Sequence, residues 1–486
     1  MVTIERRDIW RAEETEGPWN ELVLAYALAF GKLAGPVDPV LPESWTIAYQ
    51  AAVHDMSPRP APSDLRATCQ HDTWFFLPWH RMYLFNFEAV LKAIITGLDD
   101  DRISEETRST WALPYWNYQL PRHRILPTAF RDAQLPDGEP NPLAAAHRFP
   151  KVQNGTRPLS EDQVEYAEWW RQTVFNLPGT PSFGGRDTSG PRHLPLQGFP
   201  DSGALEQTPH GTVHGYVGWD MQSFDTAGLD PIFWLHHCNL DRLWEVWCHG
   251  GGVVRPNPPT GAWTTHQFEF LDATGAIWSR TSKQVEKTED LGYTYEDIGA
   301  PTAPPSPTRS RTVEVAGPDQ DEWRRELAPR TLGSTAAPVV VRSEAASVGF
   351  DLERDDEVRT RSGRPAPARL ILRVDNIGIS DDDAARVQAR EAVIGTYALY
   401  LEGNRDGVEA FVGNLPLFGL RESLTDAGHQ LAYSFDATSA VNLLRNQDAW
   451  TWDHIDVRIE PSNHEAYEGA GEVVAVTFGN VTLSYQ

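Results

Sequence analysis

His210 and His214 stand four residues apart in His-Gly-Thr-Val-His, so a helix through them puts both imidazoles on one face, where they can share one metal ion. Two imidazoles leave a site open. The segment Asp230-Pro231-Ile232-Phe233-Trp234-Leu235-His236-His237-Cys238-Asn239-Leu240-Asp241-Arg242 offers a third donor. Asp230 suits the N-cap of a helix and Pro231 its first turn, which carries His236 and His237 about a turn and a half into that helix. Asp241 lies one turn beyond His237, placed to orient a ligand or to pair with Arg242.

Taken alone, His-x-x-x-His is common on helix surfaces. A second set of histidines upstream changes its meaning. Ser44 to His54 has a helical pattern that stops before the Pro-rich Pro58-Arg59-Pro60-Ala61-Pro62, so His54 comes near a helix C-terminus. Then Cys69-Gln70-His71 leads into Leu77-Pro78-Trp79-His80-Arg81 and an apolar helical run to Ile95. Pro78 belongs in the first turn of that helix, with His80 close behind it. His71, nine residues earlier, must come from the loop before the helix. His54, His71 and His80 form one trio and His210, His214 and His237 the other, six of fifteen histidines. Imidazole-only ligation suits copper, zinc, iron or nickel and lacks the thiolates that favour structural zinc.

Cys69-x-His71, Leu77-Pro78-Trp79-His80-Arg81, Leu113-Pro114-Tyr115-Trp116-Asn117, His210-x-x-x-His214 and Asp230 to Arg242 together resemble the type-3 binuclear copper proteins. These are the tyrosinases, catechol oxidases and haemocyanins, and the chain is most similar to plant-type polyphenol oxidases with a C-terminal shielding domain. The resemblance implies two copper ions, O2 as co-substrate and oxidation of o-diphenols to o-quinones. It implies His237, the second of its doublet, as the ligand, with His236 packing behind. It also implies a thioether between Cys69 and His71, a Phe224 gate over the copper mouth, and a water held by Glu206, with Asp201 as the alternative. Gly211 and Gly215 follow the first two histidines of their trio; at the first of these positions good monophenol hydroxylases of the family often carry an asparagine. Catechol oxidation is therefore expected ahead of tyrosine hydroxylation. An o-aminophenol oxidase or a full tyrosinase is the alternative. A haemocyanin-type oxygen carrier shares all six ligands, but a single unit without tandem copies argues against it.

The 486 residues are enough for two or three domains, and 18 Trp point to well-packed globular cores. A formal charge of −26 repels nucleic acid and anionic membrane and is compatible with small, mostly uncharged phenolic substrates. Three cysteines, Cys69, Cys238 and Cys248, make no disulfide framework, and the latter two read as packed thiols. No secretory h-region or run of about twenty apolar residues occurs, so a cytoplasmic protein is expected. A copper chaperone and the oligomeric state are left open.

The elements that must position the histidines fall into a mainly helical catalytic domain over 1–300, a four-helix bundle around the dicopper centre. Within it Phe268 to Asp290 resembles the plant proteins' connecting region. Leu291-Gly292-Tyr293-Thr294-Tyr295 resembles the tyrosine segment that closes the plant catalytic domain, with Arg7 as its expected arginine partner and Arg6 as the alternative. A linker rich in Pro and Arg spans 301–328. Residues 329–486 carry β-type runs such as Leu370 to Val374, Ala392 to Leu401 and Val473 to Phe478, the pattern of an all-β, sandwich-like domain. By resemblance this domain is a lid over the copper mouth, and its cutting loose activates a latent enzyme. The closing run Val476 to Leu483 resembles the plant domain's last strand pair.

Overall fold

The structure, a computed structural model, describes residues 4–485 except 57–59, 61–63, 145–146, 165–166, 177–181, 187–201, 253, 260, 300–329, 354–368, 406, 421–430 and 463–466. Asp201 and the expected linker 301–328 lie outside the described residues.

Five helices set the metal centre: α1 (Glu21–Ala34), α2 (Ile47–His54), α3 (Phe76–Thr96), α4 (Thr212–Val217) and α5 (Pro231–His249). Each starts or stops where local chemistry says it should. The Asn20 side chain accepts from Val23 N at the start of α1, and that of Thr46 accepts from Tyr49 N at the start of α2. Asp230 caps α5 by accepting from Ile232 N at 2.9 Å, Pro231 is its first residue, and Gly250 ends it. Every residue of α5 except His249 is buried, including the charged Asp241, Arg242 and Glu245, which hydrogen bonds and ion pairs satisfy. α3 packs against both α1 and α5, and the Tyr26 hydroxyl ties α1 to the Pro231 carbonyl at 2.8 Å. No helix of the described residues is long and apolar enough to cross a membrane.

Ile4–Arg6 pairs in parallel with Tyr293–Tyr295, placing Arg6 opposite Tyr295. Arg6, and not Arg7, is therefore the partner of the tyrosine segment. Its Nη1 donates to Tyr295 Oη at 2.9 Å and its guanidinium lies 3.7 Å from the Tyr293 ring centre, whereas Arg7 pairs with Glu16 in a more exposed position. Alternation along a strand gives adjacent residues opposite faces, and the inward one is Arg6. The Phe268 to Asp290 region holds an antiparallel hairpin, Gln267–Leu271 with Ile277–Thr281.

The described residues of 330–485 include two four-stranded antiparallel sheets. One runs Glu409–Leu415, Thr396–Glu402, His454–Ser462, Ala346–Asp351; the other runs Leu431–Asp436, Leu370–Ile377, Asn480–Tyr485, Arg330–Ser334. Leu372, Val374, Leu399, Leu401, Val457, Ile459 and Leu483 are buried in one apolar core between them. Two helices, Asp381–Gln388 and Thr438–Asn446, accompany the sheets. The closing run does not pair with itself: Val476–Phe478 joins Val339–Val341, while Asn480–Tyr485 lies between two other strands.

Candidate metal centre

Two groups of buried donors meet in the helical region: His54, Cys69, His71 and His80 in one, His210, His214, His236 and His237 in the other. Within each group the donor atoms lie within 4.8 Å of one another. The groups also touch. The His80 and His237 rings stack at 4.6 Å and 14°, and those of His71 and His210 at 5.7 Å and 26°.

The backbone fixes which nitrogen each ring presents. His54 Nδ1 lies 2.7 Å from the Phe224 carbonyl, His80 Nδ1 2.7 Å from that of Phe76, His210 Nδ1 3.0 Å from that of Glu206 and His214 Nδ1 2.6 Å from that of Met221. A carbonyl only accepts, so each Nδ1 carries the proton and each Nε2 is left with its lone pair. His54 Nε2 and His210 Nε2 are buried with no partner. Burial pulls the imidazolium pKa of His54 down to about 4, and burial and neighbouring imidazoles pull His71, His210 and His237 well below the ordinary value. Neutral, buried, oriented imidazoles without protein partners are a poor core and a good metal site.

His214 Nε2 faces His237 Nε2 at 3.2 Å, close to the roughly 3.3 Å between two nitrogens on one tetrahedral ion. The donor set fits a pair of copper ions. His236 stands differently: its Nδ1 lies 3.1 Å from the Tyr118 hydroxyl, and its ring is parallel to that of His210 at 5.8 Å.

His54 ends α2, His80 sits in the first turns of α3, and His237 lies in α5. His71 comes from the loop before α3, between Cys69 and Asp72, the latter with φ of 56°. His210 and His214 do not share one regular helix. His210 belongs to a wide turn, Glu206–Gly211, broken at Thr208 ahead of the cis Thr208–Pro209 bond, and α4 follows it. Their rings still meet edge to face at 4.7 Å.

Cys69 Sγ lies 3.5 Å from His71 Nδ1, 3.7 Å from His71 Nε2 and 3.4 Å from His80 Nε2. Burial pushes its thiol pKa well up, so it is a neutral thiol against the ring edge. Cys238 and Cys248 are also buried, unpaired thiols. Glu206 accepts from Asp72 N at 2.8 Å, which ties the His71 loop to the His210 turn. Burial, helped by Asp72, pushes its carboxyl well above the usual range.

One charged hub locks α3 to α5 beside the ligands. Asp241 takes Arg81 Nε at 2.5 Å, Arg6 Nη1 at 3.3 Å and the hydroxyls of Tyr293 at 2.6 Å and Tyr295 at 2.5 Å. Arg81 follows His80, and Asp241 lies one turn after His237. The expected Asp241–Arg242 pair does not form: neighbours on a helix point about 100° apart, and Arg242 instead reaches Asn117 and Asn239.

The mouth of the centre is covered by two phenylalanines. The Phe224 ring stacks on His71 at 4.4 Å and 9°. The second was not legible in the sequence: Phe418, from the C-terminal sheets, stacks on His214 at 3.8 Å and 17° and meets Phe224 edge-on at 4.6 Å. Around it the C-terminal domain is pinned by Gln222 Nε2 to the Ile394 carbonyl at 3.1 Å, Asn414 Nδ2 to the Asp162 carbonyl at 2.9 Å and Arg390 to Asp220 at 2.7 Å. Gly211 and Gly215 lie directly under this loop, beside Pro416 and Thr396.

Residues 45–249 match the family model for the common central domain of tyrosinase, and residues 328–486 match DUF7868, a domain of unknown function. The chain is 31% identical over 465 residues to a protein described as tyrosinase HcTyr1 from Hahella sp. (strain CCB-MM4), covering 91% of this chain and 89% of that one. It is 31% identical over 260 residues to a chloroplastic polyphenol oxidase of Malus domestica, 50% of this chain and 41% of that protein. The solved structure of latent apple tyrosinase has the same fold, with a TM-score of 0.60 at 20% identity over 100% of this chain and 97% of that one.

Proposed function

Because this chain belongs to the tyrosinase family of copper-dependent phenol oxidases, we propose that it oxidises o-diphenols to o-quinones with O2, and that its C-terminal domain holds it latent until the chain between the domains is cut. One observation carries the proposal: two groups of buried imidazoles meet at one centre, and Phe418 of the C-terminal domain stacks on one of their rings.

A bound copper pair would supply the electron transfer from diphenol to O2, two diphenols giving two quinones while one O2 gives two waters. His54, His71 and His80 would hold one ion, and His210, His214 and His237 the other. The chain's own residues keep every ligand neutral and aimed. Backbone carbonyls hold the Nδ1 protons, and the Asp241 hub fixes the helices that carry His80 and His237. A planar phenol entering past Phe224 would lie among aromatic rings, where stacking orients it.

Gly211 has no side chain to help deprotonate a monophenol, which favours diphenols over tyrosine as substrates. Burial raises the Glu206 carboxyl pKa, and the Asp72 N–H already occupies one of its oxygens. The position of Cys69 supports a thioether to His71. Its formation would join sulfur to a ring carbon and take one hydrogen from each, the two electrons and two protons reducing one O2, the enzyme's co-substrate, to hydrogen peroxide.

The test measures copper content and the oxidation of 4-tert-butylcatechol, tyrosine and o-aminophenol, before and after limited proteolysis between 301 and 328. Two coppers per chain, fastest turnover of the catechol and a rise on cleavage are expected. Equal rates before and after cleavage would remove the latency, and faster tyrosine turnover would remove the diphenol preference.

A further inference from the structure

Gly211 and Gly215 sit where the C-terminal domain touches the histidine-bearing segment most closely. A Cβ at Gly211 would stand 2.7 Å from Pro416 Cγ and 2.8 Å from Pro416 Cβ; one at Gly215 would stand 2.7 Å from Thr396 Cγ2 and 3.1 Å from the Pro416 carbonyl oxygen. Carbon atoms in contact prefer about 3.5–4.0 Å. Neither partner is a free side-chain tip. Pro416 is a ring fused to the backbone of the loop that carries Phe418, and Thr396 begins a central strand of its sheet, with its hydroxyl on the Ser462 carbonyl at 2.8 Å.

The glycines' own backbone does not require glycine. Gly211 has φ −62° and ψ −35°, and Gly215 lies inside α4, where alanine is the better helix former by about 1 kcal/mol. Their missing side chains are used by the neighbouring domain, not by the chain's local conformation.

We infer that Gly211 and Gly215 are the seat of the C-terminal domain: the two bare positions let Pro416 and Thr396 approach the ligand-bearing turn closely enough for Phe418 to lie on His214. Any side chain at either position lifts the loop and uncovers the mouth. Larger side chains at 211 meet the same Pro416 ring and are incompatible with a seated lid in this chain. The inference rests on the latency proposed above and adds which residues set it.

The experiment compares Gly211→Ala, Gly215→Ala and the double variant Gly215→Ala/Thr396→Ser with the parent, as copper-loaded full-length chains. Serine removes the methyl that the new Cβ would meet and keeps the hydroxyl. Two readouts are taken. One is the ratio of catechol oxidation before to after linker cleavage, in which any effect on the chemistry itself cancels. The other is amide hydrogen exchange over 415–420. Both single variants are expected to raise the ratio roughly fivefold to tenfold, the size of a lost aromatic stack, and to speed exchange. The double variant is expected to fall back towards the parent.

Single variants with the parent's ratio and exchange would overturn the inference, as would a double variant no more latent than Gly215→Ala. Should the parent prove equally active before and after cleavage, latency itself falls. Exchange over 415–420 then decides the seat alone, with faster exchange in Gly211→Ala sustaining it and unchanged exchange overturning it.

Discussion

The Phe418 ring lies face to face with the His214 imidazole, 3.8 Å between centres and 17° from parallel, although the two are 204 positions apart and in different domains. It also meets His210 and His71 edge-on, at 5.3 and 5.8 Å. On the proposed function, this ring obstructs a phenol approaching His210, His214 and His237. Phe418→Ala removes the stack, worth about 0.5–1.5 kcal/mol, and leaves the surrounding interdomain hydrogen bonds in place. The intact variant should oxidise a catechol up to about ten times faster than the intact parent, converging with it after cleavage. Steady-state rates at limiting substrate read this directly, and an unchanged intact rate would show that the ring does not obstruct entry.

Asp241 holds Arg6, Arg81, Tyr293 and Tyr295 at once, with 2% of its side chain exposed. Replacing it with asparagine removes the carboxylate shared by two buried guanidinium groups, leaving Arg6 to Glu88 alone and Arg81 to Glu245 alone, a loss of about 3–5 kcal/mol. For a domain of this size that is a fall in melting temperature of roughly 6–10 °C. Calorimetry of Asp241→Asn checks it. Arg7→Ala, which removes a more exposed pair with Glu16, should shift the melting temperature by less than about 2 °C.

The same carboxylate gives the acid limb of stability its sign. Burial alone would raise the Asp241 pKa, but Arg81, Arg6 and the two tyrosine hydroxyls bring it below the ordinary value. The unfolded chain therefore takes up this proton at a higher pH than the folded one. The contribution is complete above the ordinary carboxylate pKa and is lost as pH falls through the depressed value. Glu245, whose pKa burial raises, has the opposite sign: it favours the folded state while protonated and loses that advantage as pH rises through its folded value. Melting temperature followed from about pH 6 to pH 3 should fall more steeply for the parent than for Asp241→Asn. Parallel slopes would mean that other carboxylates govern acid unfolding.

Much of the centre was legible because the signals are local. A cap and a proline announce α5, a Pro-rich break leaves His54 at a helix end, and the nine-residue gap forces His71 into a loop. The misreadings are failures of distance. Arg6 and Arg7 are adjacent, and only the register with Tyr293–Tyr295 decides which points inward. Asp241 has an arginine next to it in sequence, yet its partners come from residues 6, 81, 293 and 295. Phe418 sits in Pro416-Leu417-Phe418-Gly419, a turn with nothing chemical about it until the C-terminal sheets bring it to the histidines. The wide turn at His210 was hidden because a four-residue spacing fits a regular helix equally well.

Cys69 tests whether the loop ligand is covalently held. With Sγ 3.5 Å from His71 Nδ1, a thioether would fix a ring that lacks the backbone-carbonyl anchor of His54 and His80. Copper-loaded protein exposed to O2 should be two hydrogens lighter by intact mass than the protein kept copper-free, and peptide mapping should join 69 to 71. Cys69→Ala should show no such difference and should lose copper faster to a chelator.

The doublet His236–His237 separates metal ligation from packing. His237 Nε2 points at His214 Nε2 from 3.2 Å, and its ring stacks on His80 of the other group, so it stands between the two halves of the centre. His236 spends one ring nitrogen on Tyr118 and lies parallel to His210, behind the ligand rings. Removing a ligand takes the ion with it; removing a supporting ring loosens what it supports. His237→Ala should bind about one copper per chain, while His236→Gln, which keeps a hydrogen-bonding group beside Tyr118, should bind two with roughly 10–100-fold weaker retention. Metal analysis after gel filtration, with and without a competing chelator, distinguishes them, and the reverse order would move the third ligand to His236.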